Sequence, residues 1–421
     1  MVIAFTLVFS GAALAKVTIT FGTWAGKGAG TWQLLEAYVN GFNASQDEIE
    51  VQLVTVASYD QKIPVLLASG LGDDILHIHQ NNGYAWREGL VNLAPYLQQS
   101  KINPLEYVPG VFDSSNYAGR MPWIPDGLQP QMLFYNTYML ANAGLDNPVN
   151  LHAKQAWNWE AFVTYAKKLT VDADGNGTPE QWGAAGFLNR NLFITRQNGG
   201  SVVSPDGTRY TGNAPEYVEA IQWLADLYYV HRVVPNTTDS ITAALNRLRN
   251  RTAAIGHYSP NGRTNVRASL QPGEWDVAPF FERVPGRPWT HLSGNGFGIN
   301  INSKHKEEAW KFIEFVISLQ GQLINAAVRA DLPIHLRAIA SPEYLKEEGT
   351  RNMDYVIRRL PEQFAIFTPK YIPDDGEINR LNNAAINSVF KGEKPAAVAF
   401  DEIANTVQGI LDRLQGQIII K

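Results

Sequence analysis

The strongest constraint on the fold of this chain is a regular alternation of short β-rich runs with amphipathic stretches near its N-terminus. From Val17 the sequence passes through "VTITFGTW", "TWQLLEAYVNGFNAS", "IEVQLVTV", "YDQKIPVLLASG" and "DILHI". The first, third and fifth runs have the composition of strands, and the two between them have the apolar spacing of helices. A series of this kind predicts an α/β fold, with a largely parallel sheet and helices on its faces.

The remainder of the chain continues this pattern and is long enough for a second unit. The 421 residues are 45% hydrophobic and 18% charged, which is typical of well-packed globular domains. A proline-bounded stretch, "MPWIPDGLQPQMLFYNTYML", follows the first series. Because proline fixes φ and lacks a backbone donor, this stretch predicts a crossing between two domains.

Charge and cysteine content exclude several classes of partner and site. The net charge is -5, the sequence has no basic run, and it has no cysteine. These features argue against nucleic acid and against an anionic membrane surface as partners. The absence of cysteine excludes disulfides, thiolate chemistry, cysteine metal sites and a lipid-anchor cysteine. We therefore expect a neutral or small ligand and no required cofactor.

The first 15 residues have the features of a secretory signal peptide. An apolar run ends in Ala13-Leu14-Ala15, a small-x-small cleavage pattern that places the mature N-terminus at Lys16. The alternative is a buried first strand or helix. The run is too short to span a bilayer, so the sequence predicts an exported protein, periplasmic or extracellular.

Polar and aromatic residues follow the predicted strands where ligands of α/β folds bind. In such sheets the binding crevice lies beyond the carboxyl ends of the strands. The residues at these ends are Trp24, Tyr59, Asp60, Gln80 and Asn81. Aromatic planes pack on the C–H faces of sugars, and amides and carboxylates hydrogen-bond hydroxyls. The set therefore indicates a carbohydrate cleft, although any single aromatic is as well explained by core packing.

The stretch "VDADGNGTPEQW" has the oxygen ligands of a calcium loop at alternate positions. They are Asp172, Asp174, Asn176 and Glu180. An EF-hand loop requires a bidentate glutamate at position 12 and two flanking helices; here position 12 is Gly183, and a strand is predicted to follow. The favoured interpretation is a tight helix-to-strand turn, and a structural Ca²⁺ site is left open.

Catalytic motifs are not evident, but two alternatives to a binding protein remain. The sequence has neither a G-x-S-x-G motif nor a phosphate-binding glycine loop. A pair of carboxylates for glycoside hydrolysis can come from any part of a chain, which leaves an exported carbohydrate-active hydrolase or lyase as an alternative. His77 and His79 share one face of a strand and could begin a metal site, which leaves a metal-chelating binder.

Three segments together resemble the extracellular solute-binding proteins of sugar ABC transporters, the family that includes maltose-binding proteins. They are "DILHIHQNNGYAWREGLVNLAPYL", "WIPDGLQPQMLFYNTYMLANAGL" and "GNGFGININSKHKEEAWKFIEFVIS". The family's order is kept through to the tail "FKGEKPAAVAFDEI". A similar Asp/Gly turn followed by "QWG" recurs among such proteins as a surface turn.

The resemblance implies a two-lobed periplasmic binding protein fold, each lobe a β-sheet flanked by helices, with a ligand cleft between the lobes. It implies crossings near residues 125, 276 and 318. The N-terminal lobe would be 16–126 plus 277–318, and the C-terminal lobe 127–276 plus 319–421. Such a protein is a monomer without enzymatic activity that captures a carbohydrate and delivers it to membrane permease subunits.

The same resemblance assigns ligand-binding roles to residues beyond the first strand ends. Asp126 and Gln129 fall on the segment that lines the cleft. Tyr258 and Asn261 stand where the family often has a tryptophan platform, which this sequence lacks. Asn295, Tyr371 and Glu377 complete the predicted site.

Overall fold

The computed structural model describes most of the chain beyond the predicted signal peptide, and residues 1–15 lie outside the described part. The described residues are 16–28, 30–83, 85–117, 119–235, 241–284, 290–291, 294–329, 331–365, 370–371, 375–414 and 419–420. Their strands are β1 Val17–Thr23, β2 Ile49–Thr55, β3 Ile75–His79, β4 Ile124–Pro125, β5 Met132–Asn136, β6 Trp182–Ala184, β7 Ala253–Tyr258, β8 Trp275–Ala278, β9 Thr290–His291, β10 Asn295–Ile299, β11 Phe364–Ala365, β12 Lys370–Tyr371 and β13 Ile419–Ile420. Their α-helices are α1 Gly30–Ser45, α2 Tyr59–Ala68, α3 Gln80–Gly83, α4 Ala94–Gln99, α5 Thr137–Asn142, α6 Pro148–Ala153, α7 Trp159–Leu169, α8 Asn191–Gln197, α9 Pro215–Tyr229, α10 Ile241–Arg249, α11 Gly262–Arg267, α12 Lys306–Ile317, α13 Leu319–Val328, α14 Leu336–Ile339, α15 Pro342–Leu345, α16 Met353–Arg359, α17 Asp375–Phe390 and α18 Ala396–Arg413.

The first sheet is built on the predicted N-terminal series and has the strand order β2-β1-β3-β10-β4. β1 pairs in parallel with β2 along its whole length, starting with Val17 opposite Ile49. Phe21 of β1 is fully buried, and its ring lies edge-on to Phe297 of β10 at 5.0 Å. α1 and α12 cover this sheet with their apolar faces, as the amphipathic spacing of apolar residues in a helix leads one to expect.

The second sheet has the strand order β6-β7-β5-β8. All five residues of its central strand β5 are buried, as expected for a strand covered on both faces. Phe134 in β5 stacks on Trp275 of β8, with ring centroids 5.9 Å apart. Two sheets flanked by helices confirm the predicted α/β class.

The prediction of largely parallel sheets is right for β1, β2 and β3 and for the pairing of β6 with β7, and it is wrong for β5 and β10. β10 runs antiparallel to β3 and β4, and β5 runs antiparallel to β7 and β8. β5 and β10 enter their sheets from the other sheet and not from a helical crossover. Each of these strands therefore enters its sheet from the end opposite to the one at which a strand after a helical crossover would enter. The constraint that keeps the strands of a βαβ unit parallel does not apply to them.

The chain passes from the first sheet to the second over residues 126–131, between β4 and β5, close to the crossing predicted at 125. The other two predicted crossings fall too early. β8 belongs to the second sheet, and Arg283 still forms ion pairs with Glu160 and Glu219 of α7 and α9. The second crossing therefore comes after residue 283 and not at 276.

The helix that follows the predicted third crossing stays with the first sheet. α13 packs on α1 and α12, and the side chain of Gln322 donates to the carbonyl of Asp126 at 2.9 Å. From α15 onward the chain contacts the second lobe, since Tyr344 accepts from Arg263 of α11 and α16 packs on β8. The third crossing between the lobes therefore comes after residue 339 and not at 318. The connection between α12 and α13 is short, so α13 folds back on the first lobe. No helix in the described part of the chain is long and apolar enough to cross a membrane.

Candidate functional site

A cleft of about 460 Å³ lies between the two sheets and is lined by both. The first sheet and its helix α1 contribute Gly28, Gly30, Thr31, Gln33, Leu34, Leu35, His77, Asp126 and Asn295. The second sheet and α11 contribute Tyr258, Asn261, Thr264, Asn265 and Arg267, and the end of α13 contributes Val328, Arg329 and Asp331. This arrangement allows one ligand to contact both lobes at once.

A larger groove of about 1030 Å³ lies on the outer side of the first lobe and does not share this property. It runs between α4 and α12, where the rings of Tyr96 and Trp310 lie 5.4 Å apart. Its described lining comes entirely from elements of the first sheet and its helices. Because a ligand there would contact one lobe only, it could not favour closure of the two lobes, and the smaller cleft is the better candidate.

The base of the cleft is formed where two crossing segments touch. Asp126 starts the first crossing, and its backbone N–H donates to the carbonyl of Asn295 at 3.2 Å. A Cβ at Gly294 would lie 2.0 Å from the carbonyl oxygen of Gly127. The two backbones are therefore in direct contact, which is possible only without a side chain at this position.

Two carboxyl groups lie at this base. Asp331 accepts hydrogen bonds from the amide of Gln129, at 3.3 and 3.2 Å, and from the amide of Asn261 at 3.1 Å. Asp126 is 2% exposed, and its Oδ1 has no partner among the described residues. Burial raises the pKa of Asp331 to about 6, and burial together with the charge of Asp331 raises the pKa of Asp126 well above its usual value.

Further unpaired polar atoms surround these carboxyls. In the described part of the chain, both amide atoms of Asn325 and the hydroxyl of Tyr38 are buried without a hydrogen-bond partner. Burial, followed by the charges of Asp126 and Asp331, raises the pKa of Tyr38, so the phenol is neutral. Tyr38 and Asn325 lie next to each other behind the cleft, so the unpaired atom that faces a ligand is Asp126 Oδ1, whose residue lines the cleft.

The second-lobe wall is held in position by a buried arginine. Arg263 donates from Nη1 to the carbonyl of Tyr344 at 2.6 Å and from Nε to the carbonyl of Pro260 at 3.1 Å. It is fully buried, and its guanidinium lies 4.3 Å from the centroid of the Tyr344 ring. These contacts anchor α11, whose start carries Asn261 and which follows Tyr258 at the end of β7.

Trp24, the first predicted contact, is engaged by two histidines. Its ring stacks on His77 at 3.8 Å and 4° and on His79 at 3.5 Å and 21°. Two imidazoles at these distances would overlap on one face of the indole, so they occupy opposite faces. His77 Nδ1 also lies 3.0 Å from Thr23 Oγ1, and His79 Nδ1 lies 3.2 Å from Asn295 Oδ1. In this conformation Trp24 offers no free face to a sugar.

The other residues predicted around the first-lobe strand ends have separate environments. Tyr59 is buried in the core, and its hydroxyl donates to the carbonyl of Gly22 at 3.1 Å. Asp60 is exposed and accepts from Asn82 at 2.8 Å. Gln80 and Asn81 begin α3, and their side chains lie outside the described part of the structure. Tyr59 is therefore a core residue here, because the start of α2 turns it inward.

Of the two C-terminal predictions, the structure places Glu377 away from the cleft. Glu377 is exposed on α17 and is ion-paired with Arg380 at 2.7 Å. It lines a different cavity, formed with the end of α18, so its prediction as a cleft residue is wrong in this structure. Tyr371 lies in β12, which pairs with β13, and its side chain is outside the described part.

The cleft also contains residues that the sequence did not single out. Asp331, Arg267, Arg329 and Asn265 line it, yet each stands in a stretch without a motif. Asp331 follows α13 in "RADLP", where an acidic residue after a helix has no distinctive pattern. Of the predicted residues, Asp126, Gln129, Tyr258, Asn261 and Asn295 are brought together at the cleft.

The Asp/Gly loop connects α7 to β6 and confirms the predicted helix-to-strand turn. Carboxylate oxygens of Asp172, Asp174 and Glu180 lie within 4.8 Å of one another. The loop backbone holds them there, since Gly177 N–H donates to Asp172 and Ala173 N–H donates to Glu180, at 2.9 and 2.8 Å. Asn176 is exposed and donates to Asp174. Among the described residues, these three carboxylates are the one group of three or more acidic or histidine side chains close enough together to hold a metal ion.

The fold and the two-sided cleft define a solute-binding protein. The family model described as bacterial extracellular solute-binding protein matches residues 23–323, which is well over half of the chain. The chain therefore belongs to the bacterial extracellular solute-binding protein family.

Solved structures share the two-lobed architecture over nearly the whole chain. The sugar-binding protein MalE from the phytopathogen Xanthomonas citri has a TM-score of 0.78 at 18% identity, covering 94% of this chain and 98% of that one. An ABC substrate-binding protein from Listeria monocytogenes in complex with cycloalternan has a TM-score of 0.74 at 22% identity, covering 95% and 99%. UgpB from Mycobacterium tuberculosis in complex with glycerophosphocholine has a TM-score of 0.75 at 19% identity, covering 94% and 98%.

Proposed function

We propose that this protein is the substrate-binding component of an ABC transporter and that its ligand is a carbohydrate. The observation that carries the proposal is the cleft itself, which presents amides, carboxyls and the ring of Tyr258 from two lobes to one small volume. Such groups are suited to hydroxyls and to the C–H face of a sugar. Proteins with the same fold have been solved in complex with cycloalternan, maltose and acarbose.

Closure of the lobes on the ligand is the proposed mechanism. The lobes are proposed as 16–126 with about 284–339, and 127–283 with about 340–414. A hydrogen bond between Asn261 and Asp331 already joins the two sides at 3.1 Å. A ligand favours the closed form only by its differential affinity for that form, and permease subunits would recognise the closed surface.

We further propose that the protein is exported, acts as a monomer, needs no cofactor and has no nucleic-acid partner. Export follows from the apolar segment before Lys16. The net charge of -5 supports the absence of a nucleic-acid partner.

The proposal predicts a large thermal stabilisation by one class of sugar. Residues 16–421 are heated with mono- and oligosaccharides, polyols and unrelated solutes at about 1 mM each. A ligand with a Kd of about 1 μM adds roughly 4 kcal/mol to the free energy of unfolding. Tyr258→Ala is expected to weaken binding by about 1–3 kcal/mol if the ring packs on the sugar. Tyr138→Ala, at an exposed residue of α5, is the matched control. If no carbohydrate shifts the transition, the ligand belongs to another class.

A carbohydrate-active hydrolase is the second candidate, and Asp126 with Asp331 are the carboxyl pair that it would use. Incubation of the stabilising sugar with the protein, followed by chromatography, separates the two functions. A binding protein returns its ligand intact, whereas conversion of the sugar that is abolished by Asp331→Asn would establish the enzyme.

A structural Ca²⁺ ion at the Asp/Gly loop is a separate proposal, and the fit is partial. Three carboxylates and Asn176 supply oxygen ligands, but Ca²⁺ takes six to eight, so water would complete the shell. We expect Ca²⁺ at a hundredfold excess over its Kd to add about 2.7 kcal/mol to the free energy of unfolding. Asp172→Asn should remove this gain, while Asp47→Asn, an equal charge change at an exposed residue, should keep it. A transition that is insensitive to Ca²⁺ in the wild-type protein would leave the loop as a turn only.

A further inference from the structure

The two carboxyls at the base of the cleft have no positively charged partner among the described residues. Asp126 and Asp331 are 2% and 8% exposed, and both line the cleft. The hydrogen bonds to Asp331 come from the neutral amides of Gln129 and Asn261. Asp126 Oδ1 receives none. Buried carboxylates in proteins are normally paired with cations or with several strong donors.

The cations that line the same cleft are engaged elsewhere. Arg267 and Arg329 form ion pairs with Glu347 at 3.5 and 3.4 Å, and the Glu347 side chain is 3% exposed. Both guanidiniums are therefore directed at this one carboxylate, which balances one of their two charges, and in the described part of the chain neither forms an ion pair with Asp126 or Asp331. The two aspartates are thus left without a cationic partner among the described residues at the base of the cleft.

The other titratable groups near the pair supply no positive charge. His77 lines the cleft, but burial lowers its pKa well below the usual value, so the imidazole is neutral. Tyr38 is neutral as well, because burial raises its pKa. In the free protein the aspartates are held partly protonated by burial and by each other. A cation that entered the cleft would offset the free-energy cost of ionising these two buried carboxyls.

We propose that the ligand supplies this charge, and that the protein takes an amino sugar or an oligosaccharide that contains one, with the ammonium group seated between Asp126 and Asp331. An ammonium has three donors and no acceptor. The unpaired acceptor Asp126 Oδ1 and the carboxylate of Asp331, which both belong to residues lining the cleft, match this need. The inference rests on the proposed carbohydrate function and names the substrate class of the same site.

The test uses calorimetry on residues 16–421 with three matched series, namely glucose, glucosamine and N-acetylglucosamine, each as the monomer and short oligomers. The glucosamine members are expected to bind at least about tenfold more tightly than their neutral partners, since hydrogen bonds to charged groups contribute about 1.5–3 kcal/mol. At about pH 6, where the amine of the ligand is already protonated and Asp331 is partly protonated, binding should release protons, because the ammonium favours the ionised carboxyls. Measurement in buffers of different ionisation enthalpy detects this release.

Asp331→Asn and Asp126→Asn keep the shape of the site and remove its charge. Within each variant, the ratio of the glucosamine affinity to the glucose affinity should fall to less than about threefold. In the ligand-free protein these variants should raise the midpoint of unfolding near neutral pH. A raised carboxyl pKa gives stability that is present at low pH and lost as the pH rises to about 6. If a variant fails to fold, the proton release of the wild-type protein still decides.

Each other outcome overturns the inference in a defined way. Equal or stronger binding of neutral sugars without proton release would show that the pair contacts hydroxyls. Stronger binding of glucuronic acid would assign the recognition to Arg267 and Arg329. Stabilisation by Na⁺ or Ca²⁺ alone that survives Asp172→Asn and is lost in Asp331→Asn would identify a metal site. These results leave the carbohydrate function intact, whereas the absence of binding by any sugar removes both proposals.

Discussion

Arg263→Ala is expected to destabilise the protein by about 3 kcal/mol, because it leaves two buried carbonyls without their donors and a cavity in their place. The side chain is fully buried and donates to the carbonyls of Tyr344 and Pro260. Alanine removes these donors and the stacking on the Tyr344 ring, and it leaves a cavity the size of the lost side chain. Chemical denaturation followed by circular dichroism measures the difference.

The same substitution should also loosen the second-lobe wall of the cleft. Arg263 fixes α11, and Asn261 and Asn265 depend on that helix for their positions. Arg358→Ala is the control, because Arg358 is half-exposed and forms an i,i+4 pair with Asp354 at 2.7 Å. Loss of such a pair costs about 0.3–0.5 kcal/mol. Similar small losses in both variants would show that the Arg263 contacts contribute little.

Gly183→Ala is expected to cost about 3 kcal/mol or more, at the upper end of the range for overpacking. An added Cβ would lie 1.9 Å from the carbonyl oxygen of Ala166, which is backbone of α7. No side chain can move aside to accept it, so α7 must shift away from β6. The substitution therefore disturbs the packing of helix on sheet in the second lobe, and thermal and urea unfolding should both report it.

Gly409→Ala is the matched control for this prediction. Gly409 lies within α18, and an added Cβ there would meet nothing within 4 Å. Alanine in a helix interior is favoured over glycine by about 0.5–1 kcal/mol, so this variant should gain stability. Loss of stability at Gly409, or none at Gly183, would contradict the packing described.

Much of the fold could be predicted from local pattern. The first sheet follows the alternation that begins at Val17, and α12 follows the apolar stripe after Ser303. The first crossing falls at the prolines, where backbone geometry forces an extended path. The directions of β5 and β10 and the return of α13 to the first lobe could not be predicted, because they depend on which surfaces pack after the chain has crossed.

The residues of the candidate site likewise include some that the sequence predicted correctly and some that it misplaced. Asp126, Gln129 and Asn295 were predicted from the family resemblance, the first two on the segment that crosses between the lobes. Tyr59 was misplaced, because one turn of α2 decides whether its ring points to the core. Trp24 was identified as a strand-end aromatic, but the two imidazoles that stack on it come from a different strand.

The sequence by itself determined the α/β class, the family and the first segment that crosses between the lobes, since these depend on periodicity, proline and the order of motifs along the chain. The tertiary structure alone decided that Asp331, 205 positions after Asp126, shares the base of one cleft with it. It also decided that Glu347 holds the nearby arginines. Burial and charge pairing are properties of neighbours in space, and neither is encoded by spacing along the chain.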